Sequence, residues 1–154
     1  MKKVLLGIIL PVILFSCSHL ATAQAASGSL DNQLLLAAAG GNVALVQQLL
    51  AQGANIEARD AGGYTALIQA ALWHKTDVVK LLLDKGANIN ARNSQGSTAL
   101  SKAALLDYID IVRLLVEKGA DIDAKDNAGM TALQYADYGG AGDVVKFLQE
   151  KGAH

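Results

Sequence analysis

The sequence predicts an all-α solenoid of about four stacked helix-turn-helix units joined by hairpin-like loops. Three observations carry this. Gly53-Ala54, Gly86-Ala87, Gly119-Ala120 and Gly152-Ala153 recur every 33 residues. Thr65-Ala66-Leu67, Thr98-Ala99-Leu100 and Thr131-Ala132-Leu133 share that period, as do Gly63, Gly96 and Gly129. The pairs Leu49-Leu50, Leu82-Leu83, Leu115-Val116 and Leu148-Gln149 fall in the same register. Independent markers at one spacing are the signature of a repeat array. The units are 30–60, 61–93, 94–126 and 127–154.

The second unit shows why each element forms. Thr65 precedes a helical stretch, Ala66 to Trp73, and its hydroxyl is placed to cap the open N–H groups of the first turn. Ala70 and Ala71 are small enough to let neighbouring helices approach closely. Asp77 opens a second helix, its charge at the positive end of the helix dipole. Val78, Val79, Leu81, Leu82 and Leu83 form the apolar side of that helix, and Gly86 supplies a left-handed stop. Asn88 to Asn93 then reads as an extended segment leading to a tight turn before Gly96. One such unit cannot bury its own apolar face, whereas stacked units can.

Ahead of the repeats, residues 1–23 read as an export signal. Lys2 and Lys3 are followed by an uncharged run from Val4 to Phe15, too short for the roughly 20 residues of a membrane span. Ala21-Thr22-Ala23 and Ala23-Gln24-Ala25 both fit a small-residue cleavage pattern, and 24–29 is a short linker. Leu14-Phe15-Ser16-Cys17 offers an alternative exit, a lipoprotein signal ending before Cys17, which would then be lipidated. The expected address is the periplasm of a bacterium, with lipid anchoring to the envelope as the alternative. On either route no thiol is left free to oxidise.

Composition narrows the function. Hydrophobic residues at 52% and charged residues at 18% exclude a disordered chain. Loss of Lys2 and Lys3 leaves 11 basic against 14 acidic residues, a balance that does not attract nucleic acid or anionic lipid.

The units resemble the ankyrin repeat family. Thr65-Ala66-Leu67 with Ala70-Ala71 matches the opening of the family pattern, Val78 to Leu83 its second helix, and Gly86-Ala87-Asn88-Ile89-Asn90-Ala91 its loop. The third unit repeats this with Ile111 to Leu115 and Gly119 to Ala124. The resemblance covers 30–154. Where the family carries Pro, this chain has Ala66, Ala99 and Ala132. Where it carries His, this chain has Leu35, Ile68, Ser101 and Gln134, so the hydrogen bonds of that His are lost or replaced. The Gly that ends the first helix stands as Gly41 and Gly140 but is His74 and Asp107 in the middle units, where left-handed backbone with local strain is expected. The first unit lacks the Thr-x-Leu opening and the last stops just past its Gly-Ala, so both look like caps.

Little chemistry remains once the repeats are accounted for. His74 occupies a turn position. Gly139-Gly140-Ala141-Gly142 lacks the Gly-Lys-Ser/Thr ending of a phosphate loop and reads as a loosened inter-helix turn. Asp121, Asp123 and Asp126 fail the calcium-loop pattern. No enzymatic activity, cofactor, metal or small-molecule substrate is expected.

The resemblance implies binding through the hairpin tips and the concave surface of the first helices. By register the tips offer Arg59, Tyr64, Arg92, Gln95, Lys125 and Met130. The first helices end in Leu72 and Trp73, Leu105 and Leu106, and Tyr138. Aromatic residues, Met and Arg are enriched at protein interfaces. The expected role is a protein-protein interaction module of the bacterial envelope. A specific inhibitor, immunity or protective factor for one envelope enzyme or toxin is the narrower alternative, and a homodimer contact is the other use of the same surface.

Overall fold

Each 33-residue period folds as two antiparallel helices and a loop. The computed structural model describes residues 30–154; the export signal, Cys17 and the linker lie outside them. Among the described residues the helices are α1 (30–40), α2 (Val43–Ala51), α3 (Ala66–Leu72), α4 (Thr76–Asp84), α5 (Ala99–Leu105), α6 (Ile109–Glu117), α7 (Ala132–Tyr138) and α8 (Gly142–Glu150). The odd helices stack on one another in one layer and the even helices in a second. Among the described residues the β-type pairing is one isolated antiparallel bridge between Arg59 and Thr65, at the neck of one loop.

The layers differ because their side chains differ. Ala37, Ala38, Ala70, Ala71, Ala103, Ala104 and Ala136 are buried between first helices, and that layer is the more closely packed. The second helices contribute the bulk, with Val46, Leu49, Val78, Leu82, Ile111, Leu115, Val144 and Leu148 buried almost completely. Asp137 takes the place of Ala71 and Ala104 in the fourth unit and is exposed.

Local signals act as the sequence implies. Thr65, Thr98 and Thr131 cap α3, α5 and α7, their hydroxyls accepting from the backbone N–H of Ile68, Ser101 and Gln134. Two of these are full capping boxes: the Ser101 hydroxyl accepts from Thr98 N–H at 3.0 Å and the Gln134 side chain from Thr131 N–H at 2.9 Å. The residues standing in for the family's His thus hold their own helix start, while Leu35 and Ile68 join the core. Gly86 has φ 87°, and the N–H groups of Gly86 and Ala87 return to the carbonyls of Leu83 and Leu82, the paired bonds of a Schellman stop.

The inter-helix turns follow suit. His74 and Asp107 have φ 54° and 58°, in line with Gly41 and Gly140 at 79° and 71°. Three expectations need correction. The stretch from Asn88 to Asn93 is not extended throughout: Asn88 turns the chain, its carbonyl accepting from Ala91 N–H and its side chain from Asn90 N–H. The α3 helix ends at Leu72, with Trp73 as its C-cap. The stretch 139–142 is not a loosened turn: Gly140 and Ala141 donate to Asp137 and Ala136 as the other turns do, and Gly139 lies hard against the Leu105 carbonyl.

Candidate protein-binding surface

Three loop tips are each built around one Asp or Asn, spaced 33 residues apart. Asp60 Oδ1 accepts from the N–H groups of Gly62 and Tyr64, Asn93 Oδ1 from Gln95 and Ser97, and Asp126 Oδ1 from Ala128 and Met130. The loops are also tied to each other: Ser94 N–H donates to the Gly62 carbonyl, and Asn127 N–H to that of Gln95.

Arg59 and Arg92 belong to this framework. The Arg59 guanidinium donates to the carbonyls of Gly63 and Arg92, and that of Arg92 to the carbonyls of Gly96 and Lys125. Both stay exposed at the rim, but their directed donors brace adjacent loops. The acidic loop residues are equally occupied. Asp123 accepts from His154 N–H, Asp121 from Asp123 N–H, and Glu57 from Asn88 N–H in the next unit. No group of three or more His, Cys, Asp or Glu suited to a metal occurs among the described residues.

The apolar candidates separate by exposure. Trp73 is 58% exposed, Leu106 38% and Tyr138 81%. Leu72, Leu105, Tyr64 and Met130 are half-buried, and Gln95 and Lys125 are exposed at the tips. Trp73 and Leu106 occupy the same register on adjacent units, just past the ends of packed helices, and the matching position in the fourth unit is Gly139. Trp73 is held in place, its indole N–H donating to Gln69 Oε1 at 3.3 Å.

One residue escaped the sequence reading. Leu36 is 73% exposed on α1 and shares its register with Gln69, Lys102 and Tyr135, the outward row of the first helices. The 33-residue offset from Gln69 could have found it, but the first unit lacks the Thr-x-Leu marker that sets the register. Leu36, Trp73, Leu106 and Tyr138 are the large apolar side chains exposed among the described residues, and all lie on first helices or at their ends.

A polar network runs through this face. Asp60 Oδ2 accepts from Gln69 Nε2 at 2.7 Å, and Asp126 Oδ2 from the Tyr135 hydroxyl at 2.5 Å. That hydrogen bond, with backbone donors and nearby Lys102, holds the Asp126 carboxyl below its ordinary value against the opposing effect of burial. The same bond raises the Tyr135 phenol, with burial adding to it. Lys102 lies over the Tyr135 ring, 6.0 Å from its centroid.

A stack of helix pairs with Schellman stops and tied loops defines a helical repeat protein, with exposed apolar side chains on one layer. The chain belongs to the ankyrin-repeat family: the family model for ankyrin repeats (3 copies) matches residues 16–93, 34–126 and 92–154. Ankyrin repeats are generally protein-protein interaction modules, and the fold is an interaction fold without catalytic machinery of its own. No curated protein matches the chain. No helix among the described residues is long and apolar enough to cross a membrane.

Proposed function

We propose that the chain is an exported protein-binding module of the bacterial cell envelope and that it grips a partner protein with the exposed side of its first helices. The observation that carries this is Trp73. It stands 58% exposed and oriented by Gln69, with Leu106 at the same register one unit on, Leu72 and Leu105 half-buried at the same helix ends, and Leu36 and Tyr138 exposed on the first and fourth first helices. Exposed apolar groups gathered on one face mark interaction sites, and a Trp fixed by its polar edge loses little freedom on binding. Gln95, Lys125, Met130 and the braced Arg59 and Arg92 form the rim. The address rests on the leader, with its basic start, apolar run and small-residue cleavage sites.

The test is a crosslink and pull-down from envelope extract with wild type beside the Trp73→Glu, Leu106→Glu double variant. Both sites are exposed, so circular dichroism should be unchanged. One protein captured by wild type alone supports the reading. Self-capture alone makes the row a dimer contact. Equal capture by the folded double variant removes these residues from the site.

A further inference from the structure

The three loops share one device, and the loop ahead of α5 breaks it. In the loops ahead of α3 and α7 the carboxylate uses one oxygen for two backbone N–H groups and offers the other to the helix that follows, where a donor meets it: Gln69 Nε2 on Asp60, the Tyr135 hydroxyl on Asp126. Ahead of α5 the loop residue is Asn93. Its Oδ1 accepts from Gln95 and Ser97 N–H at 3.0 and 2.9 Å, as its counterparts do. Those two bonds fix the amide orientation, because a flipped Asn93 would turn its NH₂ towards two N–H donors. The atom turned to the helix is therefore Nδ2, a donor.

The helix residue at the register of Gln69 and Tyr135 is Lys102, which has donors only, so the first helix offers Nδ2 no acceptor at that position. Asn93 is 6% exposed, and its Nδ2 is buried with no hydrogen-bond partner. A buried polar group left unpaired is costly, so such an atom calls for an explanation. Lys102 makes no ion pair within 4 Å among the described residues; its ammonium rests over Tyr135 and senses Asp126, which is already engaged by that phenol and two backbone N–H groups.

We infer that the loop ahead of α5 and that helix form a carboxylate subsite, from Asn93 Nδ2 and the Lys102 ammonium, that receives an acidic side chain of the partner protein. This rests on the binding surface proposed above and names the chemistry that would be read there. A carboxylate has two oxygens and only accepts, so one group satisfies both donors, and charge assistance strengthens the Lys102 contact. Lys102 is half-buried and swings on a flexible stem, so the carboxylate enters from the groove past it. Leu106 lies four residues on from Lys102, on the same side of the helix end. The partner segment thus presents an Asp or Glu within a turn of an aromatic or aliphatic residue.

The double variant Asn93→Asp, Lys102→Gln rebuilds the Asp60–Gln69 pair at the start of α5, so it should fold while closing the subsite. The full-length protein would be immobilised and used to select from a displayed library of random peptides. The expected result is peptides with one fixed acidic position beside apolar ones. Changing that acid to its amide weakens binding to wild type about tenfold or more, the scale of one charge-assisted hydrogen bond, and leaves binding to the double variant unchanged. Apolar peptides with no fixed acid, or an amide swap that acts equally on both proteins, would overturn the subsite while the apolar surface stands. Peptides indifferent to Trp73→Glu, Leu106→Glu would overturn the surface and the subsite together.

Discussion

His74 Nε2 lies 2.9 Å from Asp110 Oδ1, although 36 residues separate them in sequence. The His74 ring also stacks on Tyr108, with centroids 4.1 Å apart and planes 3° from parallel. Thr76 Oγ1 donates to the other carboxylate oxygen. The second and third units are therefore clamped at their inter-helix turns. The residue that fills a Gly position with left-handed backbone uses its side chain to make the clamp.

That clamp sets an acid dependence. Burial raises the Asp110 carboxyl, but hydrogen bonds from Thr76 and His74 outweigh it and hold the group below its ordinary value. A depressed folded pKa means stabilisation that is present above the ordinary carboxylate range, about pH 4, and is lost as pH falls through the lower folded value. Asp110→Asn should flatten the acid limb of stability measured by denaturant melts. With the carboxylate 47% exposed, the loss near neutral pH should be about 1 kcal/mol or less.

The Tyr135–Asp126 bond acts at the opposite end of the scale. A raised phenol contributes stability that is fully present below about pH 10 and is lost as pH rises through its folded value. Absorbance titration of the four tyrosines should show one late-ionising group, and Tyr135→Phe should remove it.

Gly139 is required by close approach. A Cβ there would sit 2.3 Å from the Leu105 carbonyl oxygen. Gly139→Ala should lower stability by about 1–3 kcal/mol, since backbone must move. Gly142→Ala, with nothing within 4 Å and a helical position in α8, should instead be neutral or stabilising by up to about 1 kcal/mol. Thermal melts of the two variants make the comparison, and a destabilised Gly142→Ala would contradict it.

The basic tip residues should divide by role. Arg92→Ala removes donors to two loop carbonyls and should cost about 1–2 kcal/mol. Lys125→Ala leaves in place the carbonyl that Arg92 uses and should stay within about 0.5 kcal/mol. Equal effects would show that the brace carries no stability.

What could be read from the residues alone was the part of the fold that is local and periodic. Thr65, Thr98 and Thr131 cap through contacts three residues away, Gly86 stops its helix within two residues, and His74 and Asp107 adopt left-handed backbone because their turn demands it. Each depends on near neighbours, so a period of 33 residues carries it from unit to unit. Trp73, Leu106 and Tyr138 were visible as large apolar groups at positions the family exposes, while Leu36 was hidden by the missing marker in its unit.

Tertiary structure alone decided which side chains were already occupied. Arg59 and Arg92 point their donors at two loop carbonyls each, the farther of them 33 residues on. His74 finds Asp110 across the stack, and Gly139 meets Leu105 from another helix. The Asn93–Lys102 mismatch is invisible in either residue and emerges only when three loops are compared in register. These relationships join residues tens of positions apart. Local propensity has no access to them, because the partner is supplied by the packing of one unit on the next.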